Sequence, residues 1–329
     1  MTRTTSAWTP PPAPFGVPVY HYTDAAGLIG IMTNRELWAT EATGLNDLSE
    51  FQEGLRYLRK WMRRTGGKMT ERILSMLEDD DGFWAPSKPS EVFVLSASLD
   101  RDDAAQWRLY GGGRAGYSIE LDPSVPLGVI SGDSSPSSDD PVLTFFNIGG
   151  VATVAPWCRV AYTKSEKEEM LQSLLTWARA DDEATDERIV QMQSHGAADH
   201  FIEDESYEAD DRLRTAMGTA AALIKPKGFR SEREVRAVAT APLLSLHTRF
   251  RPTEHGIVRY LRLAASDGTT ALIKDRTTGR HPDRTLPARG VTVGPTPYFE
   301  YGRDTVTALC KQAGIDAPRV RASKVPLRV

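Results

Sequence analysis

Five short segments carry residues whose types and spacing could do chemistry. The run FRSEREVR, residues 229–236, places Glu232 and Glu234 two apart, with Arg236 two further on. In a strand these three share one face. Two carboxylates that close repel, and burying both requires cations or hydrogen bonds, part of which Arg236 supplies. The apolar AVATA that follows suggests a covered strand; the alternative is a solvent-facing edge. His21-Tyr22-Thr23 offers an imidazole, an aromatic ring and a hydroxyl at a strand end. Such a set can hold a ribose hydroxyl and stack a nicotinamide or a base, or can be a half-buried strand with a satisfied histidine. Ser96 and Ser98 interrupt the apolar EVFVLSAS on one face, which therefore meets either a ligand or the end of its strand. Asn46-Asp47 with Ser49 and Glu50 is explained by helix capping, and a ligand role for Asn46 requires it to point inward. Trp107 and Tyr110 share a helix face before a glycine triplet, with core packing as the reading for Trp107.

Other chemistries lack their residues. His195, His200, His247, His255 and His281 lie in polar stretches, and neither HExxH nor a Cys/His zinc spacing occurs, so no metal is expected. The glycine triplet is neither a Walker loop nor GxGxxG, and GxSxG is absent. Asp79-Asp80-Asp81 reads as a solvated turn. Cys158 and Cys310 are too far apart for a CxxC site and read as small apolar residues in a reducing compartment. A net charge of −4 gives no general attraction to nucleic acid or membranes, although a local basic patch remains open. No apolar run approaches the roughly 18 residues of a membrane span. The start of the chain lacks the apolar core of a signal peptide, so the expected location is cytoplasmic, with no membrane partner.

The elements that must position these residues alternate without a regular βαβ rhythm, which predicts an α+β fold. Residues 1–15 are Pro-rich and read as a flexible leader. Order is expected from residue 16 to 329 as one α+β domain. VPVYHYT and ELWAT read as strands around a short helix capped by Asp24. LNDLSEFQEGLRYLRKWMRR carries Leu48, Phe51, Leu55, Leu58 and Met62 at helical spacing, capped by Asn46 or Asp47. EVFVLSAS reads as a central strand. Residues 123–150, rich in Ser, Asp, Pro and Gly, read as a surface insertion, and 164–225 as largely helical.

Two resemblances add to this reading. YHYTDAAGLIGIMTNRELWATEATGLNDLSEF, VLSASLDRDDAAQWRLYGGGRAGYSIELD, KGFRSEREVRAVA and VTVGP with the closing ASKVPLR occur in order. Together they resemble a large uncharacterised bacterial family with HYT, LND-SEF, QWR-Y, EREVR and SKxPLR blocks. The order of His21, Ser96-Ala97-Ser98 and Glu232-Arg233-Glu234 is also similar to that of ADP-ribosyltransferases, including DarT-type DNA-modifying toxins, whose detailed pattern is not reproduced. That second resemblance implies a split, mostly antiparallel sheet with flanking helices and a cleft for NAD as substrate, without a metal. It implies that His21 bonds the nicotinamide-side ribose, that Tyr22 or Tyr117 stacks on the nicotinamide, and that Ser96 and Ser98 orient the cleft. Glu234 would bond the ribose 2′-hydroxyl and stabilise the oxocarbenium-like transition state. Glu232 would activate the acceptor as general base, and Arg236 or Arg230 would hold a phosphate or the carboxylates. Thr23 and Asn46 would complete the cofactor-binding set. The implied activity is ADP-ribosyl transfer to nucleic acid or protein, or NAD hydrolysis, in a toxin or anti-phage effector. The alternative is a non-catalytic nucleotide- or partner-binding sensor module. A nuclease is disfavoured, because no carboxylate–lysine or His–metal spacing is present.

Overall fold

The computed structural model describes residues 7–45, 49–78, 92–111, 116–131, 152–241, 245–253, 256–268, 272–278 and 281–326. In chain order the early elements are β1 (Val19–Thr23), α1 (Ala25–Asn34), β2 (Leu37–Glu41), α2 (Glu50–Thr65), α3 (Lys68–Glu78), β3 (Val92–Ser98), α4 (Ala104–Tyr110), β4 (Tyr117–Leu121) and β5 (Leu127–Ile130). Next come β6 (Thr153–Val154), β7 (Cys158–Arg159), α5 (Lys164–Ser194), α6 (Asp199–Ala222), β8 (Glu234–Thr240), β9 (Thr248–Thr253) and β10 (Gly256–Ala265). The chain closes with β11 (Leu272–Ile273), β12 (Thr277–Thr278), β13 (His281–Pro282), β14 (Ala288–Val293), α7 (Phe299–Gln312) and β15 (Arg319–Ala322). The architecture is α+β, with a large, mostly antiparallel mixed sheet flanked by helices.

β3 is the axis of this sheet. Along one edge it pairs with β8 over its whole length, Val92↔Thr240 through Ser98↔Glu234. On its other side β2 pairs at Phe93 and Val94, whereas β1 pairs at Ser98. Two arms therefore diverge: β2 leads to β10, β9 and β5, and β1 leads to β4, β14 and β15. The sheet is split, and the fork lies beside Leu95–Ala97.

Side-chain alternation sorts the strands onto two cores. Val92, Val94 and Val238 meet Phe51, Leu55, Leu58 and Met62 of α2 together with α3, α5 and α6; this is the upper face. The four α2 residues recur at helical spacing and form one apolar stripe. Phe93, Leu95, Ala97, Val235 and Ala237 meet Leu28 and Met32 of α1 and Val306 and Cys310 of α7; this is the lower face. β3 is covered on both sides, which is why it reads as a nearly continuous apolar run. Cys158 and Cys310 are both buried free thiols.

Three expectations are corrected. Of the leader expected over 1–15, the described residues from 7 onward are docked: Trp8 is buried in the upper core, and Ala13 N–H donates to the Trp157 carbonyl at 2.7 Å. The stretch beginning at 123 is not all insertion, because the LGVI of β5 pairs with β10 and β11; the 132–150 remainder lies outside the described residues. Helix α2 begins at Glu50 with Ser49 at its N-cap position and no side-chain cap bond. Asn46 and Asp47 lie outside the described residues.

Candidate functional site

The carboxylates of FRSEREVR do converge, though not as a strand would bring them together. Lys227–Glu232 is a 3-10 turn, and Arg233 takes a left-handed conformation with φ 45° before the strand begins at Glu234. Glu232 is therefore not on the strand face shared by Glu234 and Arg236. The left-handed residue swings it back, and its carboxylate returns to the same cation. Lys225 Nζ lies 2.7 Å from Glu232 Oε2 and 2.9 Å from Glu234 Oε2. Arg236 donates from Nε to Glu234 Oε1 at 2.8 Å and from Nη2 to Oε2 at 3.0 Å. Glu50, in the first turn of α2, completes the set by pairing with Arg236 and, at 3.4 Å, with Lys225.

Helix ends sit at this cluster with the favourable sign. The N-terminus of α2 carries the anionic Glu50, and the final carbonyl of α6, Ala222 O, accepts from Arg236. Tyr162 accepts from the Glu234 backbone N–H at 2.9 Å, and Lys225 Nζ lies 5.0 Å from the Phe229 ring centroid. Ser98 Oγ donates to the Glu232 carbonyl at 2.7 Å and accepts from Asp100 N–H. Ser96 lies on the same face of β3 as Ser98 and helps to hold the Glu234 carboxyl pKa down.

Three carboxylates and two cations, nearly all buried, leave one negative charge in excess, and the environment divides the carboxyls. Burial would raise the Glu234 carboxyl, but the Arg236 guanidinium and Lys225 ammonium outweigh it and hold the pKa at about 2. Glu232 goes the other way: burial raises its pKa, Lys225 only partly offsets that, and the Glu234 and Glu50 charges add to the rise. One carboxyl is thus held ionised and its neighbour is shifted the other way, a divergence of the kind that acid/base pairs use. Tyr110 is 38% accessible, and its hydroxyl pKa is raised by burial and then by the Glu234 charge.

The remaining sequence candidates divide between the two faces. Tyr20 pairs with Ser98, and Ser98 with Glu234, so that row belongs to the upper face. His21 and Thr23 alternate away from it: His21 sits opposite Ile119 and Thr23 opposite Tyr117, on the lower side. His21, Thr23 and Tyr117 therefore do not share the Glu234 face. The His21 ring is kept neutral, its pKa lowered by burial, and Nδ1 donates at 2.9 Å to the Ser96 carbonyl. It satisfies the axis strand at the fork, between the two pairing segments of β1 and β2. Tyr22 is on the upper side, but its hydroxyl donates to Asp100 O at 2.8 Å and its ring packs edge-on against Trp107.

Sequence reasoning missed Lys225, Tyr162 and the inward turn of Glu50. Lys225 lies seven residues before Glu232 and just before a proline, and a lone lysine there has no periodic signal. Glu50 had a sufficient explanation as a capping residue. Among the described residues no group of His, Cys, Asp and Glu could hold a metal ion, and no helix is long and apolar enough to cross a membrane.

Residues 106–237 match the family described as "Protein of unknown function (DUF2971)". Over that stretch the chain is similar to an uncharacterised family. The stretch contains Tyr110, Tyr162, Lys225, Glu232, Glu234 and Arg236, so all of the cluster except Glu50 lies inside it. No curated protein and no solved structure matches the chain.

Proposed function

We propose that this protein cleaves the N-glycosidic bond of NAD and passes the ADP-ribosyl group to water or to a nucleic-acid or protein acceptor. The observation that carries the reading is the Glu232–Glu234 pair, two carboxyls on one lysine with their pKa values driven apart. Glycosidic cleavage needs a fixed negative charge beside a developing oxocarbenium and a second group that exchanges protons. Glu234 has the first property. As the C1′–N1 bond breaks, its electron pair leaves with neutral nicotinamide, and the ionised carboxylate stabilises the cationic ribose. Glu232, once deprotonated, takes the proton of the attacking water or acceptor hydroxyl as its oxygen bonds C1′. Tyr110, partly exposed and electrostatically coupled to Glu234, takes the nicotinamide-stacking role in this reading, in place of Tyr22 and Tyr117. The split sheet supports the same reading, since it has the architecture implied by the ADP-ribosyltransferase resemblance.

One observation favours the non-catalytic reading. Glu234 already accepts three hydrogen bonds from Arg236 and Lys225, so a ribose hydroxyl must compete with these donors for it. The deciding experiment is release of free nicotinamide from NAD, followed by chromatography, for wild type, Glu232→Gln and Glu234→Gln, with and without DNA, RNA and cell extract. Release by wild type and its loss in folded variants is the expected result. Nicotinamide release by folded Glu234→Gln at the wild-type rate would remove the site assignment. No release by wild type under any condition leaves the cluster as an ionic clamp in a binding module.

A further inference from the structure

The arm led by β2 presents a second set of residues, away from the carboxylate cluster and with β3 between them. Its upper face carries Trp38 and Thr40 of β2, Tyr260 and Arg262 of β10, and Arg249 and Arg251 of the edge strand β9. Most arginines of this arm have acidic partners. Arg262 and Arg284 share Glu36 and Asp275, two cations against two anions, and Arg259 pairs with Glu41. Arg249 and Arg251 differ: among the described residues neither forms an ion pair with a carboxylate.

Arg251 is held in place without its charge being answered. It reaches across β10, its Nη2 donating to Thr40 Oγ1 at 3.0 Å and its guanidinium lying 5.8 Å from the Trp38 ring centroid. Its Nε is buried without a hydrogen-bond partner. A desolvated guanidinium with an orphaned donor is costly unless an anion completes it. Burial lowers its pKa, the direction expected where no acid stands beside it. The same geometry leaves several N–H groups of a planar fork unused, the arrangement that fits phosphate oxygens. Beside it the Trp38 indole is fixed by its Nε1 donating to Glu36 Oε1 at 2.9 Å and by Tyr260, ring centroids 4.5 Å apart, yet it stays 40% exposed. An immobilised, accessible indole next to an unanswered cation is the pairing that takes an aromatic base joined to a phosphate.

We propose that the face of β2, β10 and β9 that bears Trp38 and Arg251 is a nucleotide-binding surface. Arg251 and Arg249 hold the phosphate, with the buried Thr40 hydroxyl bracing Arg251, and Trp38 takes the base. The site is independent of the NAD reading, because it shares no residue with the Glu232–Glu234 cluster.

The test is calorimetric titration of the full-length protein with ADP, and in parallel with inorganic phosphate and with adenosine. The expected result is ADP binding that weakens with added salt, at least tenfold weaker in Arg251→Gln and intermediate in Arg251→Lys, which keeps the charge but loses the fork. Phosphate should compete with ADP, and adenosine should bind more weakly than ADP. Arg251→Gln should melt no lower than wild type, since a guanidinium without an anion is removed; if it does not fold, Arg249→Gln carries the same comparison. Absence of ADP binding to wild type, or ADP binding unchanged in Arg251→Gln or its substitute, would overturn the proposal. Glu232→Gln should bind ADP as wild type does. Loss of nicotinamide release with ADP binding intact, or the reverse, then tells which of the two readings has failed.

Discussion

Glu232 and Glu234 are two residues apart and share a lysine, yet they respond to substitution in opposite directions. Glu234 is stabilised as an anion by Arg236 and Lys225, so its replacement leaves a buried guanidinium short of an acceptor. Glu232 is the surplus charge, and its raised pKa means the fold holds its ionised form unwillingly. Glu232→Gln should therefore leave the melting temperature equal or higher near neutral pH, while nicotinamide release falls by roughly a hundredfold or more, the scale of losing a general acid/base. A calorimetric scan beside the chromatographic assay checks both halves. A lower melting point would assign Glu232 to the ionic clamp. The sequence showed the carboxylate pair and Arg236 but not why the pair can be buried. Lys225 answers that, and it reaches Glu232 only because Arg233 turns left-handed, which no propensity for arginine indicates.

Elements explain where the site reading drew apart from the structure. His21, Tyr22 and Thr23 are consecutive, so a strand must send Tyr22 to one side and its neighbours to the other. What a triplet cannot reveal is which side holds the catalytic candidates, since that depends on β1 pairing with β3 at Tyr20↔Ser98. His21 instead closes the fork. His21→Ala should cost roughly 2–3 kcal/mol, from a cavity and an orphaned Ser96 carbonyl, with the KM for NAD unchanged; urea unfolding and kinetics measure the two effects separately. A change in KM would return His21 to the binding set. The contact between α2 and α6 is equally specific. A Cβ at Gly54 would stand 2.1 Å from the Ala221 carbonyl oxygen, a backbone atom that cannot move alone. Gly54→Ala should lower the urea midpoint by the equivalent of about 1–3 kcal/mol or more, despite the helix propensity of alanine. The displacement also bears on the cluster, because Ala222, one residue on, accepts from Arg236.

At the scale of the molecule, the cluster ties α2, the end of α6 and β8 to one another, so its titration is felt as global stability. The α+β class and the central strand were legible because apolar alternation and an unbroken apolar run are local properties. The split was expected from the resemblance alone and not from any local pattern, since it depends on where β1 and β2 each leave β3, which is a long-range register. The pH dependence follows from the two carboxyls, both near 4.5 in the unfolded chain. The folded Glu234 carboxyl lies at about 2, so its contribution is present above 4.5 and is lost as pH falls toward 2. The full contribution is on the order of 3 kcal/mol. The folded Glu232 carboxyl lies above 4.5, so the folded state keeps that proton longer than the unfolded one. Its contribution is present below 4.5 and declines as pH rises through the folded value. The pair together is most stabilising near the ordinary carboxyl pKa, with one limb on each side. Glu232→Gln should erase the limb above 4.5 and leave the acid limb, and folded Glu234→Gln should do the reverse. Differences between wild-type and variant urea unfolding free energies, taken from pH 3 to 8 to cancel all other titrations, measure each limb. A Glu232→Gln difference that stays flat from pH 4.5 upward would mean that Glu232 is ionised as readily in the fold as in water, and the acid/base assignment would go with it.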